Sequence, residues 1–176
     1  MGMNACFYEG PIGRYILEER NGYLTHLWLG DNLTSVSSEM LTEETPLLKE
    51  AHLQLEAYFA RQLKQFDLPL QPLGTAFQLK VWKILSTIPY GETITYGEEA
   101  CLVGNPWAAR AVGRANGCNP LPIFIPCHRV VGAGGKLTGY SGGVDIKRCL
   151  LQIEGVLLYA SNTFASSAVR SPVKSR

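Results

Sequence analysis

The sequence predicts an α+β fold in which a small antiparallel sheet with one helix precedes a mainly helical domain. Three observations lead to this fold class. β-prone stretches separated by turn residues lie near the N-terminus, a proline-rich segment interrupts the chain at 67–74, and helix-start signals joined by a tight turn follow it. We therefore predict domains over residues 1–72 and 73–159, and a disordered, serine-rich tail over 160–176.

The first domain begins with strands predicted at 5–8, 14–17 and 23–29. These stretches are apolar, and Asn21-Gly22 between the last two is a strong signal for a two-residue hairpin turn. A helix then opens at Thr45-Pro46, with threonine as its cap and proline in its first turn. Its apolar residues recur on one face at helical spacing: Leu47, Ala51, Leu55, Tyr58 and Phe59.

The second domain opens with a helix predicted over 76–87. A capping box formed by Thr95 and Glu98 starts the next helix, over 96–102, and a further helix is predicted over 107–116. Two short helices joined by a tight, glycine-containing turn indicate a helix-turn-helix.

The remainder of this domain is expected to hold the reactive segment. The apolar run 121–125 predicts a strand that leads into Pro126-Cys127-His128-Arg129, and 136–138 is expected to pair back as a wing. A glycine-rich loop, 139–143, then precedes a last helix that ends near Ile153.

Charge is distributed unevenly, although the net charge is only +1. Residues 1–72 carry five Lys/Arg and ten Asp/Glu, residues 73–159 carry eight and five, and residues 160–176 carry three and none. A polyanion would therefore bind the second half, modestly and mainly through phosphate contacts. Solvated faces with a chance imbalance are the alternative.

Several classes of protein are excluded by simple features. No apolar run approaches the roughly 18 residues that a membrane span needs, and no signal peptide is recognisable. We expect a cytoplasmic protein, or a nuclear one in a eukaryote. Five cysteines without regular spacing predict free thiols in a reducing compartment, with no metal site and no cofactor.

Cys127 is the cysteine with a chemically distinctive neighbourhood. His128 and Arg129 place two potential cations beside its thiol, which favours the nucleophilic thiolate. Adjacent residues of an extended segment point in opposite directions, so His128 would reach the sulfur only through a water. A buried, inert cysteine beside a core histidine explains the same tetrapeptide.

A series of ordered blocks decides between these interpretations. Over Pro11 to Tyr159 the sequence strongly resembles the O6-alkylguanine-DNA alkyltransferases, also called methylated-DNA–protein-cysteine methyltransferases. The principal blocks are FDLPL at 66–70, IPYGETITYG at 88–97, AARAVG at 108–113, IPCHRVV at 125–131 and GYSGG at 139–143. The resemblance implies a ribonuclease H-like N-terminal domain and a C-terminal winged helix-turn-helix. It also implies stoichiometric DNA repair by a monomer, and leaves cooperative binding along DNA open.

The resemblance further assigns the chemistry to particular residues. The alkyl group would move irreversibly from O6 of guanine, and from O4 of thymine, onto Cys127 after base flipping. His128 would act as base through a water, and Glu154 would orient its imidazole. Asn119 would brace the turn before the active site, and Tyr96 would stabilise the leaving guanine oxyanion.

The DNA-binding positions are implied in the same way. Arg110 would fill the gap left in the double-stranded DNA by the extruded base, from a recognition helix in the minor groove. Ala108, Ala109 and Gly113 would give that helix a thin surface, although helix packing explains them as well. The other base- and DNA-binding positions are Asn105, Val130, Tyr140, Ser141 and Gly142.

Five further residues carry separate expectations. Glu99 has no capping role and is expected near the phosphates, where it would weaken DNA binding. Cys118 and Cys149 are expected to be packing residues. Cys6 and His26 match two zinc ligands of some family members, but the other ligands are missing, so we predict no zinc.

Three other functions share parts of the pattern. A thiol hydrolase would need an oxyanion hole and a peptide groove, for which the sequence has no signature. A non-reactive lesion-binding relative would lack the acceptor that Cys127 provides. A helix-turn-helix regulator that used Cys127 as a sensor would need a dimer contact that the sequence does not identify.

Overall fold

The N-terminal sheet follows the predicted turns. The computed structural model describes residues 2–157, except for the side chains of Asp31 and Ser38, and the tail predicted at 160–176 lies outside them. Three antiparallel strands lie side by side in chain order, β1 Met3–Gly10, β2 Gly13–Arg20 and β3 Tyr23–Leu29. Asn21 and Gly22 both have positive φ, as a type I′ hairpin requires, which confirms the predicted turn.

Helix α1, Pro46–Phe59, packs against this sheet. Its N-cap is Thr45, whose hydroxyl accepts a hydrogen bond from the Leu48 backbone N–H at 3.2 Å. The buried face of the helix consists of Leu48, Ala51, Leu55, Tyr58 and Phe59. Leu48 therefore replaces the predicted Leu47, which is only partly buried, and burial of each leucine contributes about 1.5–3 kcal/mol.

The C-terminal half is mainly helical, as predicted. Its helices are α2 Ala76–Leu85, α3 Tyr96–Val103, α4 Ala109–Gly117 and α5 Val144–Ile153. Two short parallel strands, β4 Ile94–Thr95 and β5 Val130–Val131, join the start of α3 to the reactive segment. The mixed fold class is thus confirmed, although α2 ends two residues earlier than expected.

The helix-turn-helix consists of α3 and α4. Thr95 and Glu98 form the predicted capping box, and α3 ends at Gly104, whose φ is 92°. Helix α4 begins at Ala109 rather than Trp107, because Asn105 closes a turn before it. The Asn105 side chain accepts the Trp107 backbone N–H at 3.1 Å, and its carbonyl accepts that of Ala108.

The predicted strand at 121–125 is wrong. Ile123 has a φ of 75°, and the Ile125 backbone N–H bonds to the Leu121 carbonyl, so the chain turns here. The run is apolar because it is buried on all sides, and Pro122 has no N–H for a sheet ladder. The predicted wing at 136–138 likewise forms no strand; Gly132 donates one backbone hydrogen bond to Lys136.

The two halves share one apolar core. The segment between them runs beside β3, where Leu24 exchanges backbone hydrogen bonds with Pro69 and Gln71. The Leu27 N–H also donates to the Pro120 carbonyl at 2.8 Å, which ties the sheet to the segment before the reactive cysteine. Among residues 2–157, none of the helices combines the length and apolarity needed to cross a membrane.

Candidate active site

The reactive segment is a tight turn. Cys127–Arg129 form a single turn of 3-10 helix. The backbone here was predicted to be extended, and that prediction is wrong. The Cys127 side chain is only 4% exposed, and its sulfur accepts a hydrogen bond from Asn119 Nδ2 at 3.2 Å. The Nε2 atom of the next residue, His128, is hydrogen-bonded to Glu154.

Asn119 holds this turn together. Its Nδ2 also donates to the Ile125 carbonyl at 2.8 Å, and its Oδ1 accepts the Leu121 backbone N–H at 3.0 Å. A buried amide with these partners fixes both ends of the segment that leads to Cys127. This is the bracing position that the sequence assigned to Asn119.

Glu154 is the centre of a buried polar cluster. It accepts hydrogen bonds from His128 Nε2 and Tyr58 Oη, both at 2.7 Å, from two nitrogens of Arg129 at 2.9 Å, and from the Gly91 backbone N–H at 3.0 Å. Burial raises the pKa of Glu154, but His128 and Arg129 outweigh it, and the pKa lies far below its usual range.

His128 is arranged to act as a base. Burial lowers its pKa, against the hydrogen bond and charge of Glu154, and Arg129 already neutralises that carboxylate. A carboxylate only accepts hydrogen bonds, so the neutral ring donates from Nε2 and carries its lone pair on Nδ1. Nδ1 is buried without a hydrogen-bond partner among residues 2–157 and is therefore free to accept a proton.

The Cys127 thiol is not activated by its sequence neighbours. Burial raises its pKa to about 11, against the Asn119 hydrogen bond and the charge of Lys147. The expectation that His128 and Arg129 favour the thiolate is therefore wrong, because both side chains bind Glu154. The thiol stays protonated at neutral pH until a base removes its proton.

A cavity of about 280 Å³ opens beside the Cys127 sulfur. It is lined by Tyr96, Gly113, Asn116, Gly117, Cys127, Gly139, Tyr140 and Ser141. A Cβ atom on Gly113 would lie 3.6 Å from the Tyr96 ring, an ordinary van der Waals distance, so Gly113 and Tyr96 are neighbours in this wall. The Tyr140 and Ser141 hydroxyls are buried and have no partner among the described residues. The cavity thus combines aromatic walls with polar atoms available to a ligand.

Comparisons with known proteins identify the same two parts of the chain. Residues 5–72 match the model of the 6-O-methylguanine DNA methyltransferase ribonuclease-like domain, and residues 76–156 match the DNA binding domain of that protein. The chain belongs to the 6-O-methylguanine DNA methyltransferase family. The predicted resemblance and the ribonuclease-like character of the first half are both confirmed.

Relatives of this methyltransferase align over most of their length. A methylated-DNA–protein-cysteine methyltransferase of Methanosarcina acetivorans is 50% identical over 87% of this chain and 99% of its own, and one of Mycobacterium bovis is 50% identical over 83% and 88%. Mycobacterium tuberculosis OGT in complex with DNA has a TM-score of 0.78 at 47% identity, covering 92% of this chain and 96% of its own.

The remaining predicted residues lie in α4 and in the turn before it, and they differ in exposure. Asn105 and Arg110 are exposed and Ala109 is half-buried, whereas Ala108 is buried against the core. Ala108 therefore cannot belong to the thin outer surface that was predicted for this helix. Trp107, at the turn before the helix, is 93% exposed.

Gly142 and Val130, which were predicted to bind DNA or the flipped base, are not among the residues that line the cavity. A Cβ on Gly142 would lie 3.1 Å from Leu29 and 3.2 Å from the Tyr140 ring, so this glycine lets the loop pack closely. Val130 is buried, and its carbonyl accepts a hydrogen bond from Lys147 Nζ at 2.6 Å.

Three expectations for side chains outside the pocket are wrong. Glu99 is fully buried against Asn116 rather than near a phosphate path. Cys118 is exposed and Cys149 only half-buried, so neither is a core packing residue. Packing of α3 against α4 buries Glu99. The adjacent Glu98 is exposed, so the Glu-Glu pair reads in the sequence as a surface feature.

The sequence analysis did not assign two buried polar side chains that contact the site, Lys147 and Tyr58. Lys147 is 0% exposed, although its position three and four residues before Leu150 and Leu151 places it on the apolar face of α5. This spacing could have indicated from the sequence that Lys147 lies on the buried face of the helix. Tyr58 was assigned to the buried face of α1, but nothing local indicates that its hydroxyl reaches Glu154, 96 residues away in the chain.

The two residues considered as zinc ligands have other partners. Cys6 Sγ donates to the Thr42 carbonyl at 3.3 Å, and His26 Nδ1 lies 3.3 Å from Glu18. Within the described part of the chain, no three His, Cys, Asp or Glu side chains are grouped as metal ligands.

Proposed function

We propose that this methyltransferase repairs DNA by moving an alkyl group from O6 of guanine onto the sulfur of its own Cys127, once per molecule. The observation that carries the proposal is a buried sulfur in the wall of a base-sized cavity, braced by Asn119 and followed by the His128–Glu154 pair. The relatives that are 50% identical are named methylated-DNA–protein-cysteine methyltransferases.

The reaction begins with removal of the Cys127 proton. His128 Nδ1, the ring nitrogen without a protein partner, takes up this proton directly or through a bridging water. Glu154 accepts from Nε2 of the same ring, so it orients the imidazole and stabilises the imidazolium that forms. Because Arg129 also binds Glu154, this carboxylate stays ionised throughout.

The thiolate then displaces the guanine oxygen. A sulfur–carbon bond forms as the carbon–O6 bond breaks, and its electron pair remains on the guanine. The Tyr96 hydroxyl and the Ser141 backbone N–H, from two residues of the pocket lining, stabilise that oxyanion. The product is a thioether, which no neighbouring group can cleave, so one molecule repairs one lesion.

Access to the cavity requires base flipping. A pocket of about 280 Å³ accepts one nucleobase but not a duplex, so the nucleotide must be extruded. Tyr96 and Tyr140 then form the aromatic walls of the slot. The exposed Arg110, with Asn105 and Ala109 nearby, is the group that replaces the extruded base in the stack.

Arg110→Ala is expected to separate flipping from chemistry. Without a group to fill the duplex gap, transfer from duplex O6-methylguanine slows by roughly tenfold or more, since unstacking a base costs a few kcal/mol. Transfer from the free O6-methylguanine nucleoside stays unchanged, because that substrate needs no flipping. Single-turnover rates on both substrates test this, and an equal loss on both would contradict the role of Arg110.

Trp107 is expected to report DNA binding directly. Trp82 is buried and Trp28 is partly buried, so the 93% exposed Trp107 is the indole best placed to meet DNA beside Arg110. Binding of duplex DNA should quench tryptophan fluorescence in the wild type and leave Trp107→Phe nearly unchanged. Quenching of equal size in the variant would place the DNA elsewhere.

Intact-protein mass spectrometry tests the proposed function. The protein is mixed with excess duplex containing one O6-methylguanine, and peptides are mapped. We expect one methyl group on the Cys127 peptide with no further gain over time. Binding of the lesion without a mass change would refute transfer and favour a non-reactive recognition protein.

A second substrate, the oligomeric state and the cellular compartment are further parts of the proposal. O4-alkylthymine is proposed as a second substrate because its smaller ring fits the same slot and leaves as a similar oxyanion. The reacting Cys127, His128 and Glu154 come from a single chain, which favours a monomer. All five cysteines are free, which favours the cytoplasm or, in a eukaryote, the nucleus.

A further inference from the structure

A second buried carboxylate lies behind the Cys127 pocket. Glu99 of α3 is 0% exposed, and its Oε2 accepts a hydrogen bond from Asn116 Nδ2 at 2.8 Å. Its Oε1 and the Asn116 Oδ1 are buried without partners among residues 2–157. Asn116 itself lines the cavity beside Cys127. Such a group is costly to bury, so its place next to a reactive thiol calls for an explanation.

Lys147 is the buried cation of the same region. Its Nζ donates to the carbonyls of Val130, at 2.6 Å, and Thr138, at 3.1 Å, and lies 5.8 Å from the centre of the Tyr96 ring. Both donations go to uncharged groups, so Lys147 is not neutralised by a direct ion pair in the described structure. Its charge is felt both by Glu99 and by Cys127.

Building on the proposed alkyl transfer, we propose that Glu99 is a positioning residue of the reaction. It holds Asn116 in the wall of the base pocket, and its carboxylate decides how much of the Lys147 charge acts on the Cys127 thiol. When Glu99 is neutral, the Lys147 charge favours the thiolate. When Glu99 is ionised, its negative charge offsets Lys147 and opposes the thiolate.

Glu99 and Lys147 both titrate near neutral pH. Burial raises the pKa of Glu99 to about 7, against the Asn116 hydrogen bond and the Lys147 charge. Burial lowers the pKa of Lys147 to about 8, against the charges of Cys127 and Glu99. Below pH 7 Glu99 is therefore neutral while Lys147 is charged. Above pH 7 Glu99 ionises, and its negative charge raises the Cys127 pKa.

Charges on the neighbouring elements act less strongly. Tyr96, at the start of α3, also interacts with Glu99, and burial raises its pKa, so it stays neutral. The flanking helices contribute exposed cations that water and salt screen: Lys80, Lys83, Arg110 and Arg114. Glu99 and Lys147 are thus the buried charges that act on the sulfur, in addition to burial and the Asn119 hydrogen bond.

Glu99→Gln tests the proposal. Glutamine keeps an oxygen for the Asn116 amide but removes the charge, and Glu98→Gln is the matched control. Glu98 is exposed on the same helix, and glutamine still completes its capping box. Removal of this charge lowers the Cys127 pKa and increases the thiolate fraction. The lower pKa also makes the thiolate a weaker nucleophile, so only part of that increase appears in the transfer rate. Above pH 7.5, roughly threefold faster methyl transfer is expected.

The shape of the pH profile separates this role from a structural one. Single-turnover methyl transfer is measured from pH 5.5 to 9 for the wild type, Glu99→Gln and Glu98→Gln. We expect the advantage of Glu99→Gln to disappear below pH 6, where wild-type Glu99 is already neutral. The proposal would be overturned if the pH–rate profile of Glu99→Gln ran parallel to that of the wild type, or if Glu99→Gln were slower by the same factor at every pH.

A second readout does not depend on DNA. The rate at which iodoacetamide alkylates Cys127 should show the same pH-dependent gain in Glu99→Gln. This rate is followed by peptide mapping, because the exposed Cys101 and Cys118 react as well. If no variant, the wild type included, takes methyl from DNA, the proposed function fails. The iodoacetamide profile still decides whether Glu99 controls the thiol, and equal profiles for wild type and variant would reject it.

Discussion

Cys127→Ala is expected to abolish methyl transfer completely while leaving binding of alkylated duplex DNA nearly intact. The substitution removes the one atom that attacks the alkyl carbon. It leaves the fold in place because Asn119 still bonds to the Ile125 carbonyl and the Leu121 N–H. The loss in stability should be about 1 kcal/mol, since a single buried sulfur is deleted at the edge of an existing cavity.

Transfer and binding are measured separately for this variant. Transfer is followed as methyl mass gained from an O6-methylguanine duplex, and binding as the change in fluorescence anisotropy of a labelled duplex. Cys101→Ala is the matched control, because Cys101 is exposed on α3 and takes no part in the reaction. Residual transfer in Cys127→Ala would mean that another cysteine accepts the alkyl group.

Glu154→Gln is expected to have the largest effect on stability. The carboxylate accepts hydrogen bonds from His128, Arg129, Tyr58 and the Gly91 N–H, all of them donors. Glutamine removes the charge that neutralises the buried Arg129 and turns an NH₂ group toward these donors. Loss of one partner of a buried ion pair costs about 3–5 kcal/mol, which chemical denaturation measures at pH 7.

The same substitution should slow alkyl transfer without abolishing DNA binding. His128 loses the partner that orients its ring and stabilises its protonated form. Glu56→Gln is the control. Glu56 is largely exposed on α1, so this substitution removes the same charge at the surface. An unchanged transfer rate for folded Glu154→Gln would remove Glu154 from the proton relay.

The pH dependence of this stability difference has a definite sign. The pKa of Glu154 in the folded protein lies far below that of an unfolded glutamate, near 4.3. Its stabilising contribution is therefore fully present above about pH 4.3 and is lost as the pH falls toward the folded pKa. The difference between wild type and Glu154→Gln should be constant from pH 6 to 8 and shrink below about pH 4.

Local rules were reliable where neighbouring residues decide the structure. The Asn21-Gly22 hairpin, the Thr45 cap and the capping box of Thr95 with Glu98 all formed as predicted, because each depends on contacts within a few residues. The run 121–125 failed for the opposite reason. Burial from all sides produces the same apolar pattern in a turn as in a buried strand, and only the Asn119 side chain fixes which one forms.

The sequence by itself determined the family, the two-part fold and Cys127 as the candidate acceptor, through blocks that keep their order along the chain. The tertiary structure alone decided the electrostatics of the site. It turned Arg129 and His128 toward Glu154 instead of the thiol, and buried Glu99 beneath the pocket. Burial and charge partners depend on residues far apart in the chain, so adjacency in sequence cannot reveal which groups lower or raise the pKa of a thiol.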